Sequence, residues 1–247
     1  ASLPVQSARP PLLLVHGIWS SRSTWDPLDI YANAGHWVAA LDYSTTHADS
    51  FNVNDGIVSS QIWQYIGVFQ QQTGLCAAQA MVVGHSMGAV LTRRVIGGQA
   101  IEVPYRHPLN RGQGTIDRFV TIAAPHHGTW AAALLVTQAG LPLPITSTLV
   151  GLTQGCVTCG AVRDLRADSP DTLALPDTRG AGVPSHAIVG VGGRGWVAVS
   201  TLIGAAASEW GTLGRFAEFM SRLLRIYQNV IFGGAEHDLV VSDISQR

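Results

Sequence analysis

Apolar runs of strand length alternate along the chain with stretches whose apolar residues recur at helical spacing. Leu12-Leu13-Leu14-Val15 comes first, a continuous apolar run of the kind carried by a strand buried on both faces. Polar loop residues follow, then a predicted helix from about Trp25 to Ala34, with Gly35 placed to end it. His36 to Leu41 predicts a second strand. Ile57, Ile62, Ile66 and Phe69 fall near helical spacing and predict a helix from Asp55 to about Gln72, with Gly74 beyond its end. Ala80 to Val83 predicts a third strand, and after a sharp turn at Ser86 a helix runs through Ala89, Leu91 and Val95 to Gly97. Phe119 to Ala123 predicts a fourth strand.

This alternation is the pattern of a mostly parallel sheet with crossover helices on both faces, and the expected class is therefore α/β. Beyond the fourth strand the character changes. Trp130 to Pro184 is rich in Ala, Leu, Thr, Pro and Gly with weak periodicity, which suits a cap or lid over the sheet, roughly 129–185, better than another βα unit. His186 to Val191 predicts a returning strand. Glu209 to Tyr227 predicts an amphipathic helix with Phe216, Phe219, Leu223 and Ile226 on one side. No internal repeat or low-complexity linker divides residues 1–247, so one domain is expected.

Composition narrows the function classes. With 47% hydrophobic residues, a chain of 247 residues can bury a substantial core. A charged fraction of 13% and a formal net charge of -1 provide no basis for sustained attraction to nucleic acid or anionic membranes. The apolar stretches are interrupted well before the ~20 residues of a membrane-spanning helix, so no transmembrane segment is expected. Ala1 to Pro11 has neither a basic opening nor an apolar run, so a mature secreted protein and a cytosolic one would look alike here, with a soluble secreted or periplasmic protein favoured. Cys156-x-x-Cys159 lacks the second ligand pair of a zinc site and reads as a local disulfide or two free thiols. No metal and no cofactor are expected; Asp243, a conceivable calcium ligand, has no visible partners.

The chemistry centres on Gly84-His85-Ser86-Met87-Gly88, which matches G-x-S-x-G. The motif follows an apolar strand and precedes a helix, and the tight backbone of such a turn requires small residues around the serine. It would expose the Ser86 hydroxyl at the carboxyl edge of the sheet, where open α/β sheets bind ligands. An acyl-transfer serine also needs two backbone donors for the negative oxygen of its tetrahedral intermediate. The N–H groups of Met87 and of Ile18, after His16-Gly17, are the candidates. His16 itself reads as a loop-anchoring residue.

Leu12 to Gly17, Gly84 to Gly88, Ala124-Pro125-His126-His127-Gly128 and His237-Asp238-Leu239-Val240-Val241, in that order, resemble the bacterial lipase and GPI-inositol-deacylase-like branch of the α/β-hydrolases. The four motifs spread over nearly the whole chain. The resemblance implies an α/β-hydrolase fold with a cap and a catalytic order of serine, acid, histidine. It places the acid at Asp238, where a carboxylate would orient an imidazole and stabilise its protonated form. Asp164 is the runner-up.

The histidine is missing from its expected place, because none of the residues after Asp238 is histidine. His237 is adjacent to the proposed acid, and neighbours on an extended segment point to opposite sides. His126 and His127 belong to a turn that organises the cleft in this family, and His85 sits inside the elbow. The expectation is therefore a truncated chain, with the last strand and the histidine supplied by a C-terminal continuation or a second polypeptide. A rearranged relay using a residue such as His126 is the alternative.

The function expected is a serine carboxylic-ester hydrolase acting through an acyl-enzyme on small-molecule or lipid esters, with no cofactor. An acyltransferase of the same fold and a non-catalytic module that binds hydrophobic ligands are the alternatives.

Overall fold

The computed structural model describes residues 9–28, 34–100, 105–106, 108–129, 132–133, 135–136, 156, 158–177 and 182–190. The Glu209 to Tyr227 segment and the His237-Asp238 motif lie outside them, as do residues 137–155 of the 129–185 stretch.

Five parallel strands form one sheet: β1 (Leu12–Val15), β2 (Val38–Leu41), β3 (Ala80–His85), β4 (Ile116–Ile122) and β5 (Ser185–Ile188). Their order across the sheet is β2-β1-β3-β4-β5. The chain moves outward from β1 to β2, crosses back to β3 on the other side of β1, and then continues outward. The strand order therefore reverses between β1 and β3, and the crevice outside their carboxyl ends is the place where such sheets bind ligands. The registers Leu14↔Val83 and Val15↔Gly84 bring those two ends level.

Alternation within β1 feeds both sides of the sheet. Leu13 and Val15 join the larger core cluster with Leu41, Tyr43, Phe51, Ile62, Ile66 and Leu91, whereas Leu12 and Leu14 pack with Trp25 on the opposite face. All four β1 side chains are buried. Each fully buried aliphatic side chain is worth ~1.5–3 kcal/mol relative to exposure, so β1 anchors both layers.

Two long helices carry the larger face: α1 (Phe51–Thr73) and α2 (Met87–Ile96). Helix α1 begins earlier than its apolar periodicity predicts. Ser50 makes no side-chain cap; the Phe51 N–H instead donates to Asp164 Oδ2 at 2.7 Å, and Asn54 Nδ2 donates to the carbonyls of Asp49 and Ser50. Gly74 ends the helix in the left-handed region, at φ 69°, its N–H bonded to Gln70 O. The predicted helix at Trp25 is instead a 3₁₀ helix over Arg22–Leu28, residues 29–33 lying outside the described residues.

Two short helices, α3 (Gly160–Asp164) and α4 (Pro170–Leu173), fall in the stretch expected to be a cap. They pack beside the start of α1: the Ala161 N–H donates to Ala48 O, and a Cβ on Gly160 would lie 2.6 Å from Ser50 N. Ser169 caps α4 by accepting from the Thr172 N–H, with Pro170 in the first turn. Cys156 and Cys159 form a disulfide just before α3, and Cys76 is an exposed free thiol.

Candidate active site

Ser86 stands between β3 and α2 with φ 52° and ψ -126°, a conformation a serine adopts only where its surroundings enforce it. Close packing supplies the enforcement. A Cβ on Gly84 would lie 2.6 Å from the Ala89 Cα, and one on Gly88 would lie 2.2 Å from His16 O and 2.6 Å from Val15 O. The first turn of α2 thus rests directly on the end of β1. The Ser86 N–H donates to Ile122 O at 2.9 Å, which ties the turn to β4 as well.

Gly88→Ala therefore has no nearby cavity to use, because the atoms it meets are backbone. The expected result is a loss of several kcal/mol in urea unfolding, toward the upper end of what single substitutions cost. A variant within about 0.5 kcal/mol of the parent would show that the elbow is looser than this packing implies.

The His16-Gly17 loop lies against the serine. A Cβ on Gly17 would be 3.0 Å from Ser86 Cβ and 3.3 Å from His85 Nδ1, so the backbone approaches the nucleophile where a side chain would block it. His16 is fully buried and stacks on Tyr43, with ring centroids 4.1 Å apart and planes 6° from parallel. Its Nε2 accepts from the Tyr43 N–H at 3.2 Å, which leaves the proton on Nδ1 to donate to Gly17 O at 2.8 Å. The Tyr43 hydroxyl donates to His16 O. Burial pushes the His16 pKa down and outweighs the pull of Asp42, whose Oδ1 lies 3.5 Å from Nε2. The ring is neutral, and both of its nitrogens hold the loop in place.

Ile18 and Met87 follow the two segments that converge here. As the first residue of α2, Met87 has an N–H with no intrahelical acceptor, and among the described residues no backbone carbonyl takes the Ile18 N–H. His85 meets Trp25 edge-on, with centroids 6.4 Å apart. Tyr43 and Trp25 were not among the sequence candidates; the aromatic that follows Asp42 at the end of β2 was the available signal for Tyr43.

His126 and His127 follow β4, the other strand beside β3. His126 is buried, its N–H donates to Ala124 O, and its carbonyl accepts from Arg93. Its Nδ1 has no hydrogen-bond partner among the described residues. Burial, followed by the charges of Arg93 and His127, lowers its pKa to about 4. The unfolded chain takes up this proton near 6.5 and the folded chain does not, so stability is full above that value and falls as pH drops toward 4. The expected contribution is about 3 kcal/mol. A His126→Gln variant should lose that part of the pH slope in urea unfolding, and an NMR titration midpoint above 6 for His126 would remove the basis of the expectation.

The structure thus gathers His16, Gly17, Ile18, His85, Ser86 and Met87 at the β1/β3 crevice. His126 and His127 stand one strand away. No hydrogen bond joins the Ser86 hydroxyl to a histidine among the described residues, and Asp238 and His237 lie outside them. Asp164, the runner-up acid, serves as the cap of α1. Among the described residues no cluster of three or more His, Cys, Asp or Glu side chains could hold a metal ion, and no helix is long and apolar enough to cross a membrane.

Residues 11–160 match the family described as "Putative serine esterase (DUF676)", a span that includes both the His16-Gly17 loop and the Ser86 turn. The chain belongs to this family. Its fold is that of the α/β-hydrolases, and it is similar to two crystal structures of the Bacillus licheniformis lipase BlEst2, of its mature and its propeptide forms. Against the mature form the identity is 20% and the TM-score 0.59, with 98% of this chain and 80% of that one covered. Against the propeptide form the values are 16% and 0.53, with 97% and 43% covered. At this identity the likeness establishes the fold alone. No curated protein matches the chain at a significant level. Membership of the DUF676 family places the chain among serine-esterase-like hydrolases.

Proposed function

We propose that this chain is a serine carboxylic-ester hydrolase that acts on hydrophobic esters through an acyl-enzyme. The observation that carries the reading is the left-handed backbone of Ser86 at the β1/β3 crevice, with Gly17 packed against it. Ser86 Oγ attacks the ester carbonyl as its proton passes to a base, and the carbonyl oxygen becomes an oxyanion. The Ile18 and Met87 N–H groups stabilise that charge, and the dipole of α2 adds to it. Collapse expels the alcohol, which leaves with a proton, and water then releases the acid by the same steps in reverse. Asp238 is the carboxylate that orients the imidazole serving as base. No cofactor takes part.

Apolar substrates suit a crevice bordered by the His16-Gly17 loop, where the part-buried Ile18 follows the glycine packed against Ser86. The test is covalent labelling by a fluorophosphonate, with the adduct mapped by mass spectrometry and hydrolysis of p-nitrophenyl esters followed in parallel. With the triad histidine supplied, a single adduct at Ser86 that abolishes hydrolysis is expected. Hydrolysis that survives full labelling, or an adduct elsewhere, would overturn the reading.

A further inference from the structure

Across a trans peptide the carbonyl oxygen and the following N–H point in opposite directions, so a partner that holds the one aims the other. No peptide among the described residues is cis. In the loop after β1 two successive carbonyls are held. The Tyr43 hydroxyl donates to His16 O, and His16 Nδ1 donates to Gly17 O at 2.8 Å. The second bond turns the Ile18 N–H to the side away from the fully buried His16 ring, where among the described residues no backbone carbonyl takes it. Gly17 itself is packed on the nucleophile, since a Cβ on it would lie 3.0 Å from Ser86 Cβ. The donor left without an acceptor is thus on the residue next to the one that touches the elbow.

The proton on Nδ1 is fixed from the other end of the ring. Nε2 must accept, because the Tyr43 backbone N–H at 3.2 Å can only donate. Asp42 Oδ1, which would favour a proton on Nε2, stands 3.5 Å away, outside the normal hydrogen-bond range. Stacking on Tyr43, with centroids 4.1 Å apart, fixes the ring plane as well. The tautomer is therefore set by a residue just beyond β2 and takes effect at the Gly17 carbonyl.

We propose that His16 is a positioning residue of the oxyanion hole: its Nδ1–H, by holding Gly17 O, aims the Ile18 N–H at the oxygen that becomes negative when Ser86 attacks. Tyr43 sets the tautomer that makes this possible. The inference rests on the ester-hydrolase reading of Ser86, and it gives His16 neither a contact with substrate nor a share in proton transfer.

The test uses protein with its histidine base in place and compares wild type with His16→Asn and His16→Gln. The amide nitrogen of asparagine falls near the Nδ1 position and can still donate to Gly17 O, whereas the longer glutamine places its amide near Nε2. Each variant gives up one of the two ring hydrogen bonds, so a merely structural role would cost both about equally. Instead, His16→Gln should lower kcat for p-nitrophenyl acetate by about 10²-fold with KM within about twofold of wild type, as when an oxyanion donor is lost. His16→Asn should keep kcat within about fivefold of wild type. Thermal unfolding shows whether each variant is folded. NMR of the ring nitrogens in wild type, which needs no variant, should find His16 neutral and protonated at Nδ1. A ring protonated at Nε2, a folded His16→Gln with kcat within about threefold of wild type, or equal losses in the two variants would overturn the inference and leave the function of Ser86 intact. Wild-type protein that neither takes a fluorophosphonate label nor hydrolyses the ester would overturn both.

Discussion

With its histidine base in place, replacement of Ser86 by alanine should lower kcat for a p-nitrophenyl ester by about 10⁴- to 10⁶-fold, the loss that follows removal of a nucleophile whose partners act as a unit. KM should change little, because the groups that bind substrate remain. The fold should be unaffected, since Ser86 holds its turn through its backbone: the N–H bonds Ile122 O, and the carbonyl accepts from the Ala89 N–H at 3.1 Å. Ser86→Gly should be equally inactive but more stable, because glycine occupies a φ of 52° without strain. Single-turnover kinetics on purified variants, with unfolding curves alongside, separate the two effects. Turnover in Ser86→Ala within tenfold of wild type would mean that another group performs the attack.

Asp55→Ala should be the most damaging change away from the crevice. Asp55 on α1 and Arg94 on α2 form an ion pair of 2.9 Å, with side chains 2% and 4% exposed. Arg94 also bonds Asn52, reaches Asp171 on α4 at 3.3 Å, and lies over the Phe51 ring at 5.5 Å. Burial pushes the Asp55 carboxyl up more strongly than Arg94 holds it down, so the pair is paying a desolvation cost that only its geometry offsets. Removing the carboxylate strands a guanidinium in the interior, and the expected loss is about 3–5 kcal/mol. In a domain of this size that lowers Tm by about 10 °C. The double variant Asp55→Leu, Arg94→Met should recover much of the loss, since an apolar pair of similar volume carries no desolvation cost. A double variant as unstable as the single one would assign the damage to packing.

The sheet was legible because its strands are nearly continuous apolar runs bounded by turn residues, and β1, β3 and β4 appear within a few residues of their predicted positions. The serine turn was legible because only small residues permit it, and Gly84 and Gly88 fill positions where a Cβ would strike backbone. The start of α1 was not. Its first turn carries no apolar period, and its cap is a carboxylate from a remote part of the chain. Tyr43 was passed over for a similar reason: its role is to clasp His16 across a distance in sequence that no local pattern encodes. The sequence reading also treated Asp164 as a possible catalytic acid, since nothing in its immediate neighbours shows that a helix end has claimed it.

That claim has a temporal side. Asp164 and the Phe51 amide it serves are separated by 113 residues. As the chain leaves the ribosome, the core-facing middle of α1 can form against β1 and β2 while its opening turn still lacks a partner. Domains assemble as their segments emerge, at roughly 5–20 residues per second, so the fraying end must wait several seconds for its carboxylate. Closure of that long loop fastens α3 to the start of α1 in the same event, and hydrogen exchange is expected to find the Phe51 amide opening before those in the middle of the helix.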